Sequence, residues 1–155
     1  MRNKQKGFSL IELLIVVAII LIIAAIAIPN LLRSKIAANQ ASAVGSLRTL
    51  NTACIAFSTS YGTFPAALTN LGPVGSGGTA SSSSADLIDS VLAGGTKSGY
   101  VFTFTAGASN QSYSITATPI TAATTGQNMY YTDQSGVIRV NVSGSGANSS
   151  STPIG

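Results

Sequence analysis

The sequence predicts an α+β fold. One long N-terminal helix, its first half apolar enough to cross a membrane, lays its second half against a small four-stranded antiparallel sheet. Three observations carry this. Residues 13–28 contain no polar side chain. Beyond Asn30, apolar residues recur at steps of three, four or seven as far as Tyr61, the spacing of an amphipathic helix. After residue 99, short β-prone runs with alternating polarity lie between Gly-, Asn- and Pro-containing turns.

The chain has 155 residues, which suits one domain, and only 8% of them are charged, few for a soluble cytosolic protein. The net charge of +4 is local: Arg2, Lys4 and Lys6 precede the apolar run, and beyond residue 7 five basic side chains face four acidic ones. The basic excess therefore does not form the folded face that nucleic-acid binding needs, and no nucleic acid is expected as a partner. Basic residues ahead of an apolar segment instead orient it, with the N-terminus cytoplasmic and the remainder exported. With one cysteine, Cys54, and no histidine, an intrachain disulfide and a Ser-His-Asp or Cys-His site are excluded, and zinc or iron–sulfur ligation within the chain is not credible. Cys54 reads as a small apolar residue on a helix.

Residues 8–28 would form a helix of about 32 Å, long enough to span a bilayer. The only glutamate, Glu12, sits at its head. A carboxylate at membrane depth costs on the order of 2.5–3.5 kcal/mol, and the apolar run offers it no partner. Another copy of the chain, or a newly made amino terminus, could supply that partner. Two plainer readings stand beside this: a simple membrane anchor, and a secretory signal peptide cut after Ala25-Ile26-Ala27. Against the signal peptide are the acidic Glu12, the length of the run and the continuation of the helical pattern past Pro29.

The string Lys6-Gly7-Phe8-Ser9-Leu10-Ile11-Glu12-Leu13-Leu14-Ile15-Val16-Val17-Ala18-Ile19-Ile20, with Ala24-Ala25-Ile26-Ala27-Ile28-Pro29-Asn30, resembles the class III signal of type IV prepilins and the related pseudopilins. That resemblance implies a leader at 1–7, a transmembrane and assembly helix at 8–29, an amphipathic continuation at 30–61, and a globular loop-and-sheet region at 62–155. It implies cleavage after Gly7 by a prepilin peptidase, N-methylation of the new terminus at Phe8, and pairing of Glu12 with the terminal amine of a neighbouring subunit. The implied partners are other copies of the chain, the peptidase, the inner-membrane assembly machinery and membrane lipid. The implied location is the inner membrane as a single-pass protein, then an extracellular pilus or a periplasmic pseudopilus. The chain departs from many pilins in carrying Leu21 where they carry a mid-helix Gly. Pro29 remains, and a kink or local melting is expected there, because proline removes a backbone donor and clashes with the preceding turn.

From Leu32 the apolar stripe runs through Ile36, Ala43, Leu47, Leu50, Cys54, Phe57 and Tyr61, opposite a polar face of Arg33, Lys35, Asn39, Gln40, Ser46, Arg48 and Asn51. Gly45 weakens the helix by roughly 1 kcal/mol. The helix should stop at Tyr61, with Gly62 as its left-handed cap. At about 80 Å it is too long for a compact domain of this size, and its first half is expected to be buried by other subunits.

Residues 62–98 read as a connection, with turns at Phe64-Pro65 and Gly72-Pro73, a Gly/Ser/Thr/Ala surface loop at 75–84, and a short helix at 84–94 capped by Ser84 and closed by Gly94. Strands are expected at 100–105, 112–118, 129–132 and 137–142, the last two joined by the turn Asp133-Gln134-Ser135-Gly136. The strand ending in Thr118 is closed by Pro119. Residues 143–155 read as a loose Ser/Gly-rich tail.

No catalytic constellation emerges. Asp86 and Asp89, three apart, suit a solvated face better than an acid/base pair. Asp133 with its neighbours lacks the ligands of a calcium loop. Gly75-Ser76-Gly77-Gly78 neither follows a strand nor opens a helix, so it is no phosphate loop. The aromatic residues suit core packing rather than an electron path. Asn141-Val142-Ser143 and Asn148-Ser149-Ser150 match a weak glycosylation pattern. The sequence therefore points to a structural pilus subunit, not an enzyme, with no cofactor and no metal. A type II secretion pseudopilin and a membrane-anchored or secreted binding module are the alternatives.

Overall fold

In the computed structural model, residues 7–142 and 146–154 are described, and the chain divides into two compact units, Met1–Lys35 and Ile36–Gly155. Arg2, Lys4 and Lys6, and Ser143 of the first glycosylation pattern, lie outside the described residues.

The first unit contains the start of helix α1 (Leu10–Tyr61). The side chains of the apolar run point outward: Leu10 is 75% exposed, Ile26 68% and Ile28 66%, and none of the described residues in this unit is buried. An apolar helix with no side of its own buried is a helix made for a lipid or protein surround. By length and composition α1 can cross a membrane. Pro29 lies inside the continuous helix, where it supplies no N–H to the preceding turn.

The second unit is a helix-on-sheet layer pair. The C-terminal half of α1 packs Ala43, Leu47, Leu50, Cys54 and Phe57 into a core shared with Tyr100, Phe102, Tyr113, Ile115, Ala117 and Tyr130. These are the central residues of the expected stripe. At its ends the stripe fails, with Leu32 43% and Tyr61 36% exposed. The helix ends as expected: Gly62, at φ +80°, donates to the Ser58 carbonyl at 2.8 Å.

Among the described residues the sheet has six strands in sequence order, all antiparallel, rather than the four expected. β2 (Tyr100–Ala106), β3 (Tyr113–Pro119), β4 (Met129–Asp133) and β5 (Arg139–Asn141) are the four predicted strands, shifted by one or two residues at their ends. The additions are the two-residue edge strands β1 (Thr96–Lys97) and β6 (Thr152–Pro153). Two residues show no alternation, and only the partner strand makes them β. In β3, Tyr113, Ile115 and Ala117 are buried in strict alternation, and Pro119 is the last paired residue, opposite Tyr100. The predicted turn forms: Gly136, at φ +74°, donates to the Asp133 carbonyl, and the Ser135 N–H donates to the Asp133 carboxylate, each at 2.9 Å.

Three further expectations need correction. The short helix at 84–94 contracts to α2 (Ser90–Ala93), capped by Asp89, which accepts from the Leu92 N–H at 2.9 Å. Residues 85–88 instead spend their N–H groups on the carbonyls of Asn70, Leu71 and Gly72, which carries Ala85 and Ile88 into the core. Ser84 is no cap; its hydroxyl donates to the Pro73 carbonyl. The tail is not loose throughout: β6 pairs with β5, and Ile154 donates to the Ile138 carbonyl at 2.8 Å and packs on the core. Finally, Ser46 and Asn51 are buried rather than solvated.

Candidate processing and assembly site

Gly7, Phe8 and Ser9 precede α1 as exposed, irregular backbone, and Phe8 is 76% exposed. Among the described residues beyond its chain neighbours, a Cβ added at Gly7 would meet nothing within 4 Å. Among the described residues, none packs over the peptide bond between Gly7 and Phe8.

Ser9 is the residue before the helix, and Glu12 is the third residue within it. The Ser9 N–H donates to Glu12 Oε2 at 2.9 Å, while the Ser9 carbonyl accepts from Leu13 at 3.3 Å. This is one half of a capping box, with the carboxylate reaching back to an orphan donor at the positive end of the helix dipole. The expectation that the chain offers Glu12 no local partner is therefore corrected. The signal is present in the sequence as Ser9-x-x-Glu12, directly ahead of the apolar run. The structure gathers Gly7, Phe8 and Glu12 at one helix end. Pro29 lies 17 residues beyond Glu12, about 26 Å along the helix.

Elsewhere the acidic residues are occupied with structure. Asp89 caps α2 and pairs with Lys97 at 2.8 Å, and the Lys97 hydrogen bond holds its carboxyl below the usual range. Asp86 sits at φ +56° in exposed irregular backbone and forms no pair with it. Asp133 holds its turn. Among the described residues no three His, Cys, Asp or Glu side chains come together as a metal site. Cys54 is buried, and burial pushes its thiol up to about 12, which suits packing rather than reactivity.

Asn51, expected on the polar face, is buried. Its amide donates to Thr132 Oγ1 at 2.8 Å and its oxygen accepts from the Tyr113 hydroxyl at 3.1 Å. Thr132 donates onward to the Val137 carbonyl at 3.2 Å. This buried network ties α1 to β3, β4 and the β4–β5 turn.

Compared with known proteins, residues 2–28 match the family model described as the prokaryotic N-terminal methylation motif. The chain is 52% identical over 50 residues to the type IV major pilin protein PilA of Myxococcus xanthus, covering 32% of this chain and 23% of that protein. It is 52% identical over 59 residues to the type IV major fimbrial protein FimA of Dichelobacter nodosus, covering 36% of this chain and 37% of that protein. It is 65% identical over 40 residues to the type IV wide pilus major component PilA4 of Thermus thermophilus, covering 26% and 30%. The chain thus matches about a quarter to a little over a third of the length of these relatives. No solved structure gives a significant match.

Proposed function

We infer that this chain, whose N-terminal third is that of the type IV pilin family, is a structural subunit of a type IV pilus. The observation that carries the reading is the exposed Gly7-Phe8 bond at the head of a helix whose apolar first half has no buried side of its own. In this reading the chain inserts with its N-terminus cytoplasmic, and a prepilin peptidase cuts after Gly7 and methylates the amine of Phe8. The subunits then polymerise by packing residues 10–28 against like helices. Tight helix packing and a satisfied Glu12 supply the drive, since lipid is as apolar as leucine.

The capping geometry supports a role for Glu12 in that step. Its carboxylate already holds the N–H of Ser9 at 2.9 Å. Cleavage would create an ammonium one residue away, within roughly 4 Å of that N–H by chain geometry alone. The carboxylate is then poised for the amine of its own chain or of a neighbour, and only an incoming neighbour adds axial register. Pro29 is where we place a bend or melting of α1, since the turn there lacks one donor.

The relatives are named a pilin, a fimbrial protein and a pilus component, which favours the pilus over a type II secretion pseudopilus. The mature N-terminus, read by mass spectrometry on protein from membrane and sheared surface fractions, tests the proposal. The expected result is a start at N-methyl-Phe8 in both. A start at Met1 or Ile28 would remove it. Recovery of the methylated form from the membrane alone, with secretion lost on deletion, would move the assignment to the pseudopilus.

A further inference from the structure

A cavity of about 370 Å³ opens at the end of the second unit where α1 stops. It is lined by Phe57, Tyr61, Phe64, Asn70, Ser82 and Asn110, together with Thr63 and Ala66. Its size lies within the range of small-molecule sites, roughly 300–1,000 Å³.

The lining combines aromatic rings with neutral hydrogen-bonding groups and carries no charge. Tyr61 stands beside Phe57 with ring centroids 4.6 Å apart, and Phe64 meets Tyr113 edge-on at 4.8 Å. The Phe57 ring is buried, while Tyr61 keeps a third of its surface open. Among the described residues, the side chains of Thr63, Ser82 and Asn110 form no hydrogen bond. Asn70 uses its oxygen to accept from the Ala67 N–H at 2.9 Å, leaving its amide donors free.

The segment that brings Asn110 to the cavity is conformationally unusual. Ser109 and Asn110 are consecutive non-glycine residues in the left-handed region, at φ +52° and +54°. The Phe64 N–H grips the Asn110 carbonyl at 2.9 Å. Such backbone persists only where its surroundings over-determine it, and it gathers at binding sites.

We propose that this cavity binds an uncharged pyranose ring. A sugar ring has an apolar C–H face that stacks on an aromatic side chain, and a rim of hydroxyls that neutral amides and hydroxyls can serve. Phosphate and ammonium ligands are disfavoured because no charged side chain lines the cavity. Tyr61 is the platform, and Asn110 is the rim group that fixes orientation. The inference is independent of polymerisation, because every lining residue lies in the second unit.

Saturation-transfer NMR on the full chain, held in a zwitterionic detergent free of sugar headgroups, tests this. The probes are methyl glycosides of galactose, glucose and N-acetylglucosamine at about 10 mM, with N-acetylneuraminic acid as the charged control. Transfer to at least one neutral glycoside is expected, weakened roughly two- to tenfold by Tyr61→Ala and by Asn110→Gly, the latter keeping the left-handed backbone. Val91→Ala, exposed and outside the cavity, should leave it unchanged. Absence of transfer to every neutral glycoside, equal transfer to the charged sugar, or transfer unchanged in Asn110→Gly would overturn the proposal.

Discussion

Replacing Asn51 by Ala should cost far more than its polar character suggests. The substitution removes the amide that donates to Thr132 Oγ1 at 2.8 Å and the oxygen that accepts from Tyr113 at 3.1 Å. Thr132 keeps its own acceptor, the Val137 carbonyl. Tyr113, only 3% exposed, is left with a buried hydroxyl and no acceptor. A third, long bond from the amide to the Gly136 carbonyl at 3.4 Å adds little. The two short hydrogen bonds at roughly 0.5–1.5 kcal/mol each, plus an orphaned hydroxyl at about 1–3 kcal/mol, overlap to give about 2–4 kcal/mol. In a unit of this size that corresponds to a fall in melting temperature of about 4 °C per kcal/mol. Adding Tyr113→Phe to Asn51→Ala removes the orphan and should recover about 1–2 kcal/mol, so the two changes couple strongly in a double-mutant cycle. Thermal unfolding of the full chain in detergent, followed by near-ultraviolet circular dichroism, reads both effects. A single variant within about 0.5 kcal/mol of the parent, or additive changes in the double variant, would refute the network as an energetic unit.

Other substitutions separate processing, assembly and packing. Gly7→Phe meets no atom of the described residues beyond its chain neighbours within 4 Å of its Cβ, so it should fold normally yet remain uncut; a normally shortened product on immunoblots would reject Gly7 as the cleavage position. Glu12→Val should insert more readily, by on the order of 2.5–3.5 kcal/mol, and still be cleaved, but yield few fibres; normal fibre yield by electron microscopy would reject the register role. Gly126→Ala would set a methyl 2.6 Å from Cζ of the fully buried Tyr100 ring, and overpacking should cost roughly 1–3 kcal/mol in denaturant unfolding. Cys54 is neutral in both folded and unfolded states at low pH. Above about 8.5 the unfolded thiol ionises, while the folded one holds its proton to about 12, so this residue lowers stability as pH rises across that window. Cys54→Ser should flatten that alkaline decline, and iodoacetamide should label native protein no faster than it unfolds.

The grouping of Gly7, Phe8 and Glu12 at one helix end, on which the proposed processing rests, was legible in the sequence because each part of it is local. Gly7-Phe8, the Glu12 carboxylate and the apolar run all lie within one stretch of chain, and Ser9 with Glu12 satisfies a rule that spans four residues. The strand runs and the Asp133-to-Gly136 turn were legible for the same reason, since alternation and turn chemistry act over a few neighbours. Asn51 was not, since a helical polar residue is assigned to the wet face by default. Its burial depends on Tyr113 and Thr132, which lie 62 and 81 residues away along the chain.

By itself, then, the sequence determined a chain with an apolar helical head, a single acidic residue in that head and a β-rich second part. Period and composition are properties of neighbours, and they need no fold to act. Tertiary structure alone decided the rest. β1 and β6 exist because a paired strand lies beside them, and α2 shrinks to Ser90–Ala93 because the carbonyls of Asn70, Leu71 and Gly72 claim the N–H groups ahead of it. The cavity at Tyr61 forms only where the ends of a helix, a loop and a β-turn converge. Each of these is a competition for hydrogen bonds or space between residues far apart in the chain, and the winner is set by what the fold brings within reach.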